Sequence, residues 1–520
     1  MPVFVRHRGG LGLALLVCLV ALAAPAEAST LARDGSGRLV WTSSAALSNN
    51  LTINYAEPFR CSPLASCDPS YSFKDTVEPV TVSAAGCAPT GAQPASTAIV
   101  CDVTAGTPVT GLVVSPGSGN DSVLHDVGEC TGPICLRGVD VPVAMTLTGG
   151  DGDDTLAGSF GDDTISGGNG SDTLSGAAGS DSLTGGSGND TLTPGVGDDN
   201  TIDGGADADT VSYDDGRGGG VAVTLNEGAG GNDGGPDDDA AGGRETVIGM
   251  ENLIGSGNAD TLTGDGAFNT VQGRGGDDVI RGGIGQDSLE GEDGTDTLDY
   301  GDHAAAVTVA LDTSGFFKNG SAGENDRTVG FEAASGGLGG DTLTSGYPAG
   351  NPVRLEGALG NDTLTGGASD DTLVGDAGSD VVNGQGGTDT ALYPVPDTVE
   401  VTLNNGAGKD DGGPNDGAPG ARDSIATENV TSGSGPDVLI GDGGANRILG
   451  GEGDDSVQGG LGQDDLGGGP GVDEVSYEER ASSQPVEAPS TGSSTTVRRA
   501  RTTCSRRTSR SSPAAPAPTA

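Results

Sequence analysis

Residues 149–193 read GGDGDDTLA, GSFGDDTIS, GGNGSDTLS, GAAGSDSLT, GGSGNDTLT, five consecutive units of nine residues. Each unit runs Gly-x-x-Gly-x-Asp, then any residue, an aliphatic residue and any residue. The aspartates fall at Asp154, Asp163, Asp172, Asp181 and Asp190, and the aliphatic residues at Leu156, Ile165, Leu174, Leu183 and Leu192. A strict short period fixes architecture before any other feature does. The glycines permit a tight turn at positive φ. The triplet after each aspartate, such as Thr155-Leu156-Ala157, predicts a short strand whose central residue points to one face. One such strand buries nothing alone. Stacked copies do, because each coil sets its aliphatic residue over the last. Two units, or 18 residues, complete one coil with a turn on each side. A disordered Gly/Asp linker has no reason to place Leu or Ile at every ninth residue.

The turns offer backbone carbonyls and one carboxylate each, a hard-oxygen donor set suited to Ca²⁺. The stretch resembles the RTX (haemolysin-type) calcium-binding nonapeptide family. That resemblance implies an all-β fold, a parallel β-roll or β-solenoid, with Ca²⁺ held between turns of successive coils. Carried over, Asp154, Asp172 and Asp190 line one edge, and Asp163 and Asp181 the other.

The repeat block extends over 149–212 and ends at Asp209. Three more blocks follow. Residues 255–299 hold Asp260, Asp278, Asp287 and Asp296, with Asn269 in a degenerate unit. Residues 336–392 hold Asp341, Asp362, Asp371, Asp380 and Asp389. Residues 432–476 hold Asp437, Asp455, Asp464 and Asp473, with Asn446 in another weak unit. The full Gly-Gly-x-Gly-x-Asp pattern begins at eight positions, from Gly149 to Gly468. All these aspartates are candidate Ca²⁺ ligands. Those that end a block, Asp209 among them, are expected to matter less than internal ones such as Asp172.

Spacers at 213–254, 300–335 and 393–431 are related to one another. Val221-Ala-Val-Thr-Leu-Asn226 matches Val399-Glu-Val-Thr-Leu-Asn404, and Val307-Thr-Val-Ala-Leu311 is a third version. They read as extra strands with longer loops. Each block ends with an Asp followed four residues later by Tyr: Tyr213, Tyr300, Tyr393 and Tyr477. Asp237 to Asp239 read either as further Ca²⁺ ligands or as a solvated acidic loop.

Upstream, residues 1–28 read as a secretory signal peptide. Arg6 and Arg8 precede an apolar run from Leu11 to Ala24, and Ala26-Glu27-Ala28 supplies the cleavage pattern. Residues 29–148 form a β-rich region with runs at 38–42, 51–55 and 109–115. It holds six cysteines, Cys61, Cys67, Cys87, Cys101, Cys130 and Cys135. An even number in an exported chain suggests disulfides, with Cys61–Cys67, Cys87–Cys101 and Cys130–Cys135 the simplest pairing. Residues 116–124 fit the turn-plus-strand template loosely, as a lead-in to the same solenoid. Residues 477–520 are a basic low-complexity tail with a lone Cys504. A basic anchor for an anionic cell-wall polymer, a disordered tail, and a shifted reading frame near residue 484 are all open readings of it.

The chain has 520 residues, 97 of them glycine, aromatics at 3%, and a formal net charge of −51. So few aromatics suit a quasi-one-dimensional stack better than a compact core. The charge argues against nucleic acid and bare anionic membranes as partners. No transmembrane segment is expected after residue 28. No His-Glu-x-x-His or Gly-x-Ser-x-Gly motif occurs. Of three histidines, His303 is expected at the surface of a spacer loop. The sequence thus predicts a secreted, non-enzymatic calcium-binding protein, structural or adhesive at or outside the cell surface, with a cell-surface or extracellular-matrix partner. The alternative is a secreted hydrolase with its site in 29–148.

Overall fold

A computed structural model describes residues 144–476 apart from 159, 197–199, 227–244, 314, 316, 405–410 and 416–421; outside that span it describes only the backbone of short strands. The signal-peptide segment, the cysteine side chains, Asp237 to Asp239 and the basic tail lie outside the described side chains. The chain divides into two compact units, Met1–Ser335 and Gly336–Ala520. Among the described residues every regular element is a strand.

In the first unit the chain alternates between stacks of parallel strands. One stack comprises Met145–Asp151, Thr164–Asn169, Ser182–Ser187, Thr201–Ala206 and Thr246–Ile248. Its register sets Leu147, Ile165, Leu183, Ile202 and Val247 in one column. A second stack runs through Thr155–Ala157, Thr173–Ser175, Thr191–Thr193, Thr210–Ser212, Asn252–Ile254, Thr270–Gln272 and Ser288–Glu290. Its column is Leu156, Leu174, Leu192, Val211, Leu253, Val271 and Leu289. Every member of both columns is at most 1% exposed, so this is where the core sits. Within the block, paired residues such as Leu156 and Leu174 differ by 18 positions, two nonapeptides per coil. The outward neighbours are mostly Thr and Ser, as a half-buried strand demands.

The lead-in reading holds at the level of the backbone. Leu112–Ser115 pairs in parallel with Met145–Asp151, and Ser122–Val127 with Thr155–Ala157, Val123 opposite Leu156.

The spacers do not end the stacks. After Thr210–Ser212 the chain forms Ala222–Thr224, then returns so that Thr246–Ile248 lies on Thr201–Ala206 and Asn252–Ile254 on Thr210–Ser212. Ala222–Thr224 founds a further stack with Thr261–Thr263, Val279–Arg281 and Thr297–Asp299. Asn226, at φ 60, clamps the return: its side chain bonds both the carbonyl (2.9 Å) and the amide (3.1 Å) of Met250. In the next spacer Val307–Leu311 pairs antiparallel with Phe317–Ser321.

The second unit repeats the scheme. One column is Leu343, Leu364, Val382 and Ile425. Another is Leu355, Leu373, Ala391, Val430, Ile448 and Leu466. Glu400–Thr402 founds a third with Val438–Ile440, Ser456–Gln458 and Glu474–Ser476. Asn404, at φ 52, reaches the Thr427 carbonyl at 2.9 Å, the counterpart of Asn226.

Candidate metal centre

Position six of the nonapeptide directly precedes the strand, so stacking the strands stacks its side chains. The carboxylates form ladders. Asp172 Oδ1 accepts the backbone N–H of Asp154 at 2.7 Å, Asp190 that of Asp172 at 2.7 Å, and Asp209 that of Asp190 at 2.8 Å. Asp181 accepts from Asp163 at 2.8 Å on the separate ladder. The two-edge division of the first block is therefore what the structure shows. A further ladder links Asp260, Asp278 and Asp296, and Asp287 accepts from Asn269. In the second unit Asp341, Asp362 and Asp380 form one ladder and Asp371 with Asp389 another. Asp437, Asp455 and Asp473 form a third, and Asp464 accepts from Asn446 at 3.3 Å. All these aspartates except the half-buried Asp464 are at most 3% exposed.

Each ladder bond uses only Oδ1. In Asp172, Asp181, Asp190, Asp209, Asp278, Asp287, Asp296, Asp362, Asp389, Asp455 and Asp473, Oδ2 is buried with no hydrogen-bond partner. A buried carboxylate oxygen with no donor is costly, and the group responds by holding its proton. Burial accordingly pushes Asp278, Asp287 and Asp362 up to about 7. It pushes Asp181, Asp190, Asp209, Asp296, Asp389 and Asp455 up to about 6. The ladder N–H opposes this shift, and nearby carboxylates mostly reinforce it.

Oδ2 faces the first glycine of its own unit. A Cβ added to Gly185 would lie 2.3 Å from Asp190 Oδ2 and 2.5 Å from the Gly204 carbonyl oxygen. The same cradle recurs at Gly273, with Asp278 Oδ2 at 2.2 Å and the Gly291 carbonyl at 2.7 Å. Position one is thus glycine because a side chain would fill the space where a carboxylate and a carbonyl oxygen converge. Among the described residues no three His, Cys, Asp or Glu side chains gather as a cage. An ion here would take its remaining donors from turn carbonyls, which suits Ca²⁺ and not a nitrogen- or sulfur-seeking metal.

The two asparagine units fill the same position differently. Asn269 Nδ2 donates to the Glu251 carbonyl at 3.0 Å, and Asn446 Nδ2 to the Glu428 carbonyl at 2.7 Å. In both units Oδ1 faces the opening glycine and accepts a turn N–H, from Asp265 at 2.8 Å and from Asp442 at 3.0 Å.

Several position-six groups lie in spacers and escaped the sequence reading. Glu251, Glu332 and Glu428 accept the N–H of Asp209, Asp296 and Asp389 at 2.8, 3.1 and 2.9 Å. Asp209 is therefore no end residue: the ladder continues through Glu251. Asp326 and Asp423 accept the N–H of Asp287 and Asp380, both at 2.9 Å, and Glu245 accepts from Asn200 Nδ2 at 2.8 Å. Gly249 and Gly330 keep the glycine two residues before Glu251 and Glu332, but the glycine pair that opens a unit is missing around these acids. The remaining signal was an acid two residues before the buried strand residue, as in Glu251-Asn252-Leu253 and Asp423-Ser424-Ile425.

The tyrosines that close the first three blocks find a role here, while Tyr477 lies outside the described residues. Tyr213, Tyr300 and Tyr393 donate their hydroxyls to Glu245, Asp326 and Asp423 at 2.7, 2.8 and 3.1 Å. His303, expected at the surface, is instead only 5% exposed. Its Nδ1 lies 2.7 Å from Asp302 and its Nε2 3.1 Å from Glu324, while Tyr300 meets the ring edge-on. The spacer folds back through Glu324 and covers it. The bond to Asp302 raises the imidazole above its ordinary value, with Glu324 adding to the effect.

The family model of the RTX calcium-binding nonapeptide repeat matches residues 148–183, 166–200, 254–289, 272–302, 356–391, 431–466 and 440–475. No curated protein matches the chain. Residues 148–475 thus contain multiple copies of the RTX calcium-binding nonapeptide repeat, and its strands stack in parallel with the 18-residue register.

Proposed function

We propose that the chain is a secreted Ca²⁺-binding β-roll without a catalytic domain, structural or adhesive at or outside the cell surface. The observation that carries the calcium reading is the set of buried Oδ2 atoms lacking donors above glycine cradles. Asp154, Asp163, Asp172 and the other position-six aspartates would supply the carboxylate ligands, and the turn carbonyls the rest. The repeat family implies Ca²⁺ as the ion. A Ca²⁺-dependent fold suits a compartment where the ion is at millimolar levels, which supports export. No helix among the described residues is long and apolar enough to cross a membrane.

The non-catalytic reading is supported by the roles the acids already have. Position-six carboxylates serve the ladders, and both ring nitrogens of His303 are held by carboxylates. In the N-terminal region the antiparallel backbone register sets Cys87 opposite Cys101, and a disulfide pairing of the six cysteines remains part of the proposal. Equilibrium dialysis of the full chain against ⁴⁵Ca²⁺, paired with a bacterial-surface adhesion assay with and without chelator, tests the reading. Multiple bound ions and chelator-sensitive adhesion are expected. Absence of bound Ca²⁺ at millimolar concentration would overturn it.

A further inference from the structure

At three places the 18-residue step is broken by an insertion. The carboxylate above Asp209 is Glu251, 42 residues on; that above Asp296 is Glu332, 36 residues on; and that above Asp389 is Glu428, 39 residues on. In each case the arriving acid is glutamate, one methylene longer than the aspartate of the regular units. Each glutamate spends one oxygen on the N–H of the aspartate below, as a ladder aspartate does.

The aspartates below are incompletely satisfied. Asp209, Asp296 and Asp389 are each 0% exposed, and the Oδ2 of each is buried without a partner. Those oxygens point into glycine cradles. A Cβ on Gly204 would fall 2.7 Å from Asp209 Oδ2 and 2.1 Å from the Gly249 carbonyl. A Cβ on Gly291 would fall 2.5 Å from Asp296 Oδ2 and 2.1 Å from the Gly330 carbonyl. The third cradle, Gly384, sits 2.1 Å by the same measure from Asp389 Oδ2. Gly249 and Gly330 belong to the returning segments, at φ 64 and 75. At these two junctions block and returning segment thus converge on one spot with oxygen from each side.

The acids facing the tyrosines behave differently. Glu245, Asp326 and Asp423 receive the hydroxyls of Tyr213, Tyr300 and Tyr393. Each insertion therefore supplies one carboxylate satisfied by a tyrosine and another, a glutamate, set over an aspartate with an unsatisfied oxygen.

We propose that Glu251, Glu332 and Glu428 complete junction sites for a divalent, oxygen-seeking cation with Asp209, Asp296 and Asp389, tying each returning strand to the block before its insertion. This rests on the calcium-binding β-roll reading and extends it to residues outside the nonapeptide motif. Closure of each insertion is then cation-dependent, while its tyrosine-capped acid needs no ion.

The test is the Ca²⁺ stoichiometry of the full chain by equilibrium dialysis, comparing wild type with Glu251→Gln/Glu332→Gln/Glu428→Gln. Glutamine keeps an oxygen to accept the ladder N–H and removes only the charge. The triple variant is expected to bind three fewer ions, one for each Glu-to-Asp contact, while retaining its β-sheet spectrum in Ca²⁺. Tyr300→Phe is expected to bind no fewer ions than wild type. If the triple variant does not fold, the three single variants are measured, each expected to lose one ion. Unchanged stoichiometry and affinity in the triple variant, or in all three single variants, overturns the junction sites and leaves the β-roll reading standing. A wild-type chain that binds no Ca²⁺ overturns both.

Discussion

Tyr300 donates its hydroxyl to Asp326 Oδ2 at 2.8 Å, and both side chains are at most 1% exposed. Asp326 occupies a position-six slot in a spacer, with its other oxygen on the Asp287 N–H at 2.9 Å. The tyrosine gives this acid the second partner that Asp278, Asp287 and Asp296 lack.

Tyr300→Phe removes that donor and leaves a buried carboxylate oxygen unsatisfied. In saturating Ca²⁺ the loss of stability should be about 1–3 kcal/mol, read from urea unfolding. An unchanged midpoint would show that the hydroxyl contributes nothing.

Gly185→Ala puts a methyl group 2.3 Å from Asp190 Oδ2 and 2.5 Å from a backbone carbonyl, so the cradle is filled. It should lower both Ca²⁺ stoichiometry and thermal stability. Gly257→Ala meets nothing within 4 Å and is the control. Dialysis and thermal melts of the pair should separate them clearly; equal behaviour would count against the cradle.

Leu174 is 0% exposed at the centre of its column. Leu174→Ala should cost about 2–5 kcal/mol. Leu174→Asp should cost more, since it buries a charge without a partner. Leu461→Ala, at a turn position 45% exposed, should stay within about 0.5 kcal/mol. Asp209→Ala should cost as much as Asp172→Ala, because the ladder runs through Asp209 to Glu251.

How much of this the sequence carried depended on whether a feature repeats. The columns through Leu156 and Leu174, and the separate ladders of Asp172 and Asp181, follow from the period alone. The spacers obey the same stacking rule, but their length varies and the glycine pair that opens a unit is gone. Glu251, Glu332 and Glu428 therefore carry no repeat signature that the period reveals. His303 was misplaced for a related reason. Its burial depends on Glu324, 21 residues away across a return that no local pattern announces. The recurring Asp-to-Tyr spacing was visible, yet its meaning required knowing which acid each tyrosine meets.

The raised aspartates set a pH dependence for the cation-free chain. With folded-state values of about 6 to 7, against 3.8 unfolded, the folded state binds more protons between these limits. Its stability is then greatest below pH 3.8 and is lost as pH rises through 6 to 7. In chelator, β-structure should be stronger at pH 5 than at pH 8 by circular dichroism. Ca²⁺ affinity should fall over the same window on acidification, because protons compete for the same oxygens. A chelated chain equally folded at both values would contradict this.

The most direct test of the account is circular dichroism of the full chain at neutral pH during a Ca²⁺ titration from excess chelator. A net charge of −51 opposes compaction, and the carboxylate sites are assembled only when the coils stack. The account predicts a largely unfolded spectrum in chelator. β-structure should appear cooperatively at about 10⁻⁴–10⁻³ M Ca²⁺, the range of extracellular modules. A full β-sheet spectrum in excess chelator, unchanged by added Ca²⁺, would contradict it.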